Sequence, residues 1–182
     1  MPFTSLLLTG LVPNGKIEEN HVGVFLANSE ADETYLLFSA DNSDYFHNTF
    51  LKKTQTNVPQ PSCCDAVSFS YSCANQRRRP NITICLIELK GGSHDATEKA
   101  VDQIQKTYEG IKKGIDEYDI AHLNITWKAL IISRSSTRFK DINPVLSRLK
   151  RIFGKDNVVH THVSRGKVNL TKFMKTNNIE YL

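Results

Sequence analysis

From Cys64 onward the apolar positions fall into alternating runs and helical stripes. "CDAVSFSY", starting at Cys64, alternates as a strand does, "SCANQRRRPN" is a polar loop, and "ITICLIELK", Ile82 to Lys90, is a second strand rich in β-branched residues. Ala100, Val101, Ile104, Tyr108 and Ile111 recur at three- and four-residue spacing, which predicts a helix from Ala96 to Lys113. Asp95 with Glu98 makes a capping box for it, and Gly114 a stop. "ITWKALIIS" follows as a strand, and a helix then starts near Pro144, capped by Asn143 and ended by Gly154. "NVVHTHV" is another strand, turning at "SRGK" into "VNLTKFMK". Before Cys64 the pattern is weaker. His21 to Ala27 and Thr34 to Ser39 read as short strands or single helical turns, and "TQTNVPQPS" as a proline-bearing loop. The order strand, strand, helix, strand, helix, strand predicts an α/β fold with a mixed sheet, and the lack of repeats or linkers predicts one domain over residues 1–182.

Composition narrows the class without changing this picture. The 182 residues are 40% hydrophobic and 23% charged, as in a globular protein. No run approaches the ~18 apolar residues of a membrane span, and "MPFTSLLLTGLVPNGK" has neither a basic leader nor a cleavage site. The expectation is therefore a cytoplasmic, intracellular protein with no membrane partner, in which the sequons at Asn81, Asn124 and Asn169 are chance matches. Cys63, Cys64, Cys73 and Cys85 lack paired metal-ligand spacing and read as buried or idle thiols, with metal or disulfide use the alternative.

The strand ending in "CLIELKGG" carries the candidate chemistry. Alternation puts Ile84, Leu86, Glu88 and Lys90 on one face and Cys85, Ile87 and Leu89 on the other. A strand apolar on both faces is central and expected to be covered by helices on both sides. Glu88 and Lys90 stand about 6.6 Å apart along it, within reach of one ion or water. If Asp65 pairs with Glu88 across an antiparallel hairpin, Val67 meets Leu86, Phe69 meets Ile84 and Tyr71 meets Ile82, all apolar pairs; a slip of one would move Asp65 to the other face. Two adjacent carboxylates repel unless a proton or a metal lies between them, and such an oxygen site suits Mg²⁺ or Mn²⁺.

Asp65, then "IELK" with Glu88 and Lys90, then a helix carrying Ala100 and Gln103, resembles the PD-(D/E)xK nuclease superfamily. The resemblance covers about Cys63 to Val163. It implies a restriction-endonuclease-like fold, a mixed central sheet flanked by helices, and metal-dependent hydrolysis of phosphodiester bonds in nucleic acid, with DNA favoured over RNA. Asp65, Glu88 and the carbonyl of Leu89 would hold Mg²⁺ or Mn²⁺. Lys90 would orient the attacking water, and Gln103 would border the site. Three features depart from the family pattern: Cys64 replaces a frequent proline, no helix is evident around Glu18 or Glu19 to supply a further glutamate, and Gln103 and Tyr108 are five positions apart rather than four. Two other readings stand beside it. One is a catalytically inactive nucleic-acid-binding or protein-assembly module on the same fold; the other is an interaction domain without nucleic acid, in which Glu88 and Lys90 form a rim ion pair worth ~0–1 kcal/mol.

Charge adds a candidate binding surface. From Trp127 to Leu182 there are 12 Lys and Arg against 3 Asp and Glu, a balance of +9; the residues before Trp127, with 11 against 16, sum to −5. Such a basic end suits a polyanion, or is a solvated surface. Arg134, Arg138 and Lys140 after a strand, and Arg148, Lys150 and Arg151 on a helix, are the candidate backbone contacts. "QRRRP" is a solvated turn or a phosphate contact. His160 and His162 share a strand face, as half-buried positions or as zinc or phosphate ligands. Pairing of two copies, or with a partner protein, stays open.

Overall fold

The computed structural model describes residues 11–19, 22–27, 33–40, 62–72, 81–90, 96–116, 124–133, 142–154, 161–164 and 166–181. Its elements in chain order are β1 (Lys16–Glu19), β2 (Val22–Phe25), β3 (Glu33–Ser39), β4 (Ala66–Ser72), β5 (Asn81–Lys90), α1 (Ala96–Asp116), β6 (Asn124–Ser133), α2 (Ile142–Phe153), β7 (Thr161–Ser164), β8 (Lys167–Asn169) and α3 (Leu170–Thr176). A five-stranded sheet runs β3-β4-β5-β6-β7, and a second sheet runs β1-β2-β8. Strands β3, β4 and β5 pair antiparallel, whereas β5–β6 and β6–β7 pair parallel. The α/β class and the mixed sheet of the sequence reading are those of the structure.

Strand β5 is the middle strand and is buried on both faces along most of its length. On one face Ile84 and Leu86 pack with Val67, Trp127, Ala129 and Ile131 under the apolar stripe of α1 and under Leu149 and Phe153 of α2. Tyr108 stands edge-on to Trp127 and to Phe153, each with ring centroids 4.7 Å apart. Such pairs add ~0.5–1.5 kcal/mol apiece to area burial. On the other face Cys85, Ile87 and Leu89 meet Val22, Val24, Val168, Leu170 and Phe173. Among the described residues the second cover is thus the small sheet with one short helix rather than a helical layer. Its strand β2 pairs in parallel with β8, some 140 residues later in the chain, a contact no local pattern announces.

Two further boundaries differ from expectation. Helix α1 runs through Gly114 to Asp116, because Ile115 continues the buried stripe and its packing outweighs the ~1 kcal/mol helical cost of glycine. Helix α2 starts at Ile142, which puts Asn143 inside its first turn. Gly154 does end it, at φ +79, the left-handed conformation that glycine adopts without a Cβ clash. "VNLTKFMK" divides into β8 and α3, and Asn169 caps α3 by accepting from the Lys172 amide at 3.1 Å. The glycines at 91 and 92, Asp95, the side chain of Glu98, Cys73, most of the "TQTNVPQPS" segment and the "QRRRP" turn lie outside the described residues.

Candidate active site

The site forms where the β4–β5 ladder ends. The paired residues run from Ser72 opposite Asn81 to Ala66 opposite Ile87, with Val67–Leu86, Phe69–Ile84 and Tyr71–Ile82 as expected. One step further, side chains continue what the backbone ladder began. The Asp65 amide donates to Glu88 Oε2 at 3.2 Å, and the Leu89 amide donates to Asp65 Oδ2 at 2.6 Å. The Asp65 carbonyl in turn accepts from the Ala40 amide at 2.9 Å, tying it to β3. Each carboxylate therefore holds the other's strand, and both lie at the exit of the central strand.

Glu88 is completely buried. Lys90 Nζ, on a side chain 20% exposed, forms an ion pair with Glu88 Oε1. That contact compensates charge but not direction, for Oε1 still has no hydrogen-bond partner of acceptable geometry among the described residues. Burial above all, and then the Asp65 charge, push the Glu88 carboxyl up to about 8, against the opposing pull of Lys90. Two carboxyl groups side by side, one of them fully buried, are oxygen donors of the kind that a hard divalent cation takes.

Helix α1 closes the site from above. Gln103 Oε1 accepts from Lys90 Nζ at 2.9 Å, while Gln103 Nε2 donates to the Cys63 carbonyl at 2.8 Å. One turn later the buried Thr107 hydroxyl accepts from the Cys64 amide at 3.0 Å and donates to the Gln103 carbonyl at 2.8 Å. Asp65, Glu88, Lys90 and Gln103 thus converge, as the sequence reading expected. Leu89 contributes its amide, and its side chain packs on the opposite face. Cys63, Cys64 and Cys85 are buried; burial raises the Cys64 thiol well above its ordinary value and Cys85 to about 12, which keeps both protonated.

Other candidates stand apart. Glu18 is on an exposed strand of the small sheet, paired with Lys16 at 2.8 Å and Lys167 at 3.1 Å; Glu19 belongs to the same strand, β1, where the sequence showed no helix. Arg148 forms an ion pair with Asp102 of α1. Lys128, counted in the basic end, is 3% exposed inside the second core. Lys150 and Arg151 are exposed on α2. Arg134, Arg138, Lys140 and His160, and the His162 side chain, lie outside the described residues. No group of three or more His, Cys, Asp or Glu suited to a metal occurs among the described residues; the oxygen set at β5 has two carboxylates.

Thr107 and two lysines escaped the sequence reading. Lys99 and Lys106 lie four positions before and three after Gln103 on α1, both exposed, and Lys106 Nζ donates to Ser62 Oγ at 3.3 Å. Helical spacing from Gln103 was the available signal. No protein-family model, curated protein or solved structure matches the chain.

Proposed function

We propose that the protein is a metal-dependent nuclease with a restriction-endonuclease-like core, hydrolysing phosphodiester bonds of nucleic acid, most readily DNA. The observation that carries this reading is the convergence of Asp65, Glu88, Lys90 and Gln103 at the exit of the central strand. The topology supports it: an antiparallel β3–β4–β5 meander is followed by a helix and a parallel β6. Asp65, Glu88 and the Leu89 carbonyl are the residues that would hold Mg²⁺ or Mn²⁺. When bound, such an ion supplies positive charge that polarises a phosphoryl oxygen and acidifies water.

The chain's own residues have separate tasks. Lys90, steadied by Gln103, presents N–H donors at the partly open edge of the site, where they orient water and offset charge developing on phosphate oxygens. The buried wall formed by Leu86, Ala100 and Ile104 excludes bulk water on the inner side and strengthens these interactions. Exposed cations, Lys99 and Lys106 on α1 and Lys150 and Arg151 on α2, hold the phosphate backbone without reading its sequence.

A catalytically inactive binding module is the second reading. It is favoured by the reciprocal bonds of Asp65 and Glu88, which also serve as a purely structural end to the hairpin. Incubation with end-labelled single- and double-stranded DNA and RNA, with Mg²⁺ or EDTA, separates the two. Cleavage dependent on Mg²⁺ and lost in Asp65→Asn is expected. Binding without cleavage would select the module, and neither binding nor cleavage would discard both.

A further inference from the structure

A single peptide unit is gripped at both of its polar ends by one helix. The carbonyl of Cys63 accepts from Gln103 Nε2, and the amide of Cys64, the other half of the same unit, donates to Thr107 Oγ1. Gln103 and Thr107 are four positions apart, one helical turn, so they reach the unit from one face of α1. Thr107 also donates to the Gln103 carbonyl. The oxygen of the same Gln103 side-chain amide accepts from Lys90 Nζ. The unit lies immediately before Asp65, whose own amide and carboxylate engage Glu88 and Leu89.

The geometry points to Thr107 as a positioning residue: its hydroxyl fixes the Cys63–Cys64 peptide, and through it sets Asp65 against Glu88 and Lys90. This inference rests on the nuclease reading, since it assigns Thr107 to the organisation of that same site. A helix without the hydroxyl would still pack, because the burial of Ala100, Ile104, Tyr108 and Ile111 holds α1 on the sheet. The Asp65 segment would then lose the bond nearest to Asp65 among its three hydrogen bonds to the helix, keeping those of Gln103 to Cys63 and of Lys106 to Ser62. The Cys64 amide would be left without its acceptor, and the segment would drift by fractions of an ångström, which is what a ligand set tolerates least.

The test compares wild type with Thr107→Val, which keeps shape and removes the hydroxyl, and Thr107→Ser, which keeps the hydroxyl and removes the methyl. Mn²⁺ affinity is measured by calorimetry, and kcat and KM with whichever labelled DNA or RNA wild type cleaves. Thr107→Val is expected to weaken Mn²⁺ binding and kcat by ~10-fold or more with KM unchanged, as outer-shell partners of metal ligands do. Thr107→Ser should restore both, although it loses more packing. Wild-type values in Thr107→Val, or equal damage in Thr107→Ser, would overturn the role. If Thr107→Val does not fold, Thr107→Cys replaces it, with only a weak sulfur acceptor; serine must then outperform cysteine, and equality overturns the proposal. A wild type that neither binds Mn²⁺ nor cleaves overturns the nuclease reading and the Thr107 role together. An active wild type with unaffected variants overturns only the latter.

Discussion

Glu88 has no exposure to solvent and has Asp65 as its neighbour, and both circumstances oppose its ionisation. Its folded pKa of about 8 lies above the ordinary 4.5, so between these values the fold binds a proton that the unfolded chain does not. The resulting stability is fully present below the lower value and is lost as pH rises through the upper one. In EDTA, then, the melting temperature should fall between about pH 5 and pH 8, and Glu88→Gln should flatten that fall, as scanning calorimetry at several pH values can check. Identical slopes in the two proteins would mean that Glu88 ionises as readily in the fold as outside it. Lys90 gives a second residue-scale expectation. Its ammonium sits at an edge 20% open and is held by Gln103, so Lys90→Met removes a donor without opening a cavity. Cleavage should drop by ~10²-fold or more with substrate affinity nearly unchanged. Undiminished turnover in a variant of equal melting temperature would reduce the Glu88–Lys90 pair to a structural contact.

Helices α1, α2 and α3 each use charge in a different way, and only part of this was legible in the sequence. The stripe of α1 was readable because its apolar positions repeat at the helical period; Thr107 hides in the same stripe as one more buried residue. Lys128 interrupts the apolar run "ITWKALIIS", where a lysine reads as solvent-facing. Yet its Nζ donates to the Phe173 carbonyl at 3.1 Å and to that of Met174, both buried residues near the C-terminal end of α3. Burial lowers its pKa, but the carbonyl end of a helix is a favourable partner for a cation. Lys128→Met should preserve volume, remove the Met174 carbonyl's donor while the Phe173 carbonyl keeps the Asn177 amide, and cost ~1–3 kcal/mol in urea unfolding, with earlier proteolysis near α3. An unchanged midpoint would show that water replaces the ammonium. On α2 the prediction differs by residue. Lys150→Gln with Arg151→Gln should weaken nucleic-acid binding across sequences and reduce the salt slope by up to ~2, whereas Arg148→Gln removes only an exposed bond to Asp102 worth ~0–1 kcal/mol. A salt titration of binding in both variants decides whether the helix is a backbone contact or only a solvated surface.

For the molecule as a whole, the candidate site is the place where separately stabilised parts meet. The β4–β5 register was readable because three successive apolar pairs agreed on it, and that register carried Asp65 to Glu88. The small sheet was not, since its parallel β2–β8 pairing joins the two ends of the chain and leaves only a few short apolar residues as trace. Asp65 belongs to the segment entering β4, Glu88 and Lys90 to β5, and Gln103 and Thr107 to α1, so a cation held by both carboxylates would bind a structure assembled from all three. Unfolding disperses these ligands, and any ion that binds only the folded state raises its stability by mass action. At a free Mn²⁺ concentration 100 times its dissociation constant the gain is ~2.7 kcal/mol, a shift of a few degrees in melting temperature for a chain of this size. Wild type should show that shift and Asp65→Asn should not. Glu88→Gln is the more revealing variant, because it also removes the carboxyl whose burial opposes folding above neutral pH. It should melt higher than wild type in EDTA at pH 8 and fail to gain from Mn²⁺, so that the order of the two proteins narrows or reverses on adding metal. Parallel gains in all three proteins would place the ion elsewhere and leave the paired carboxylates as a hairpin terminus.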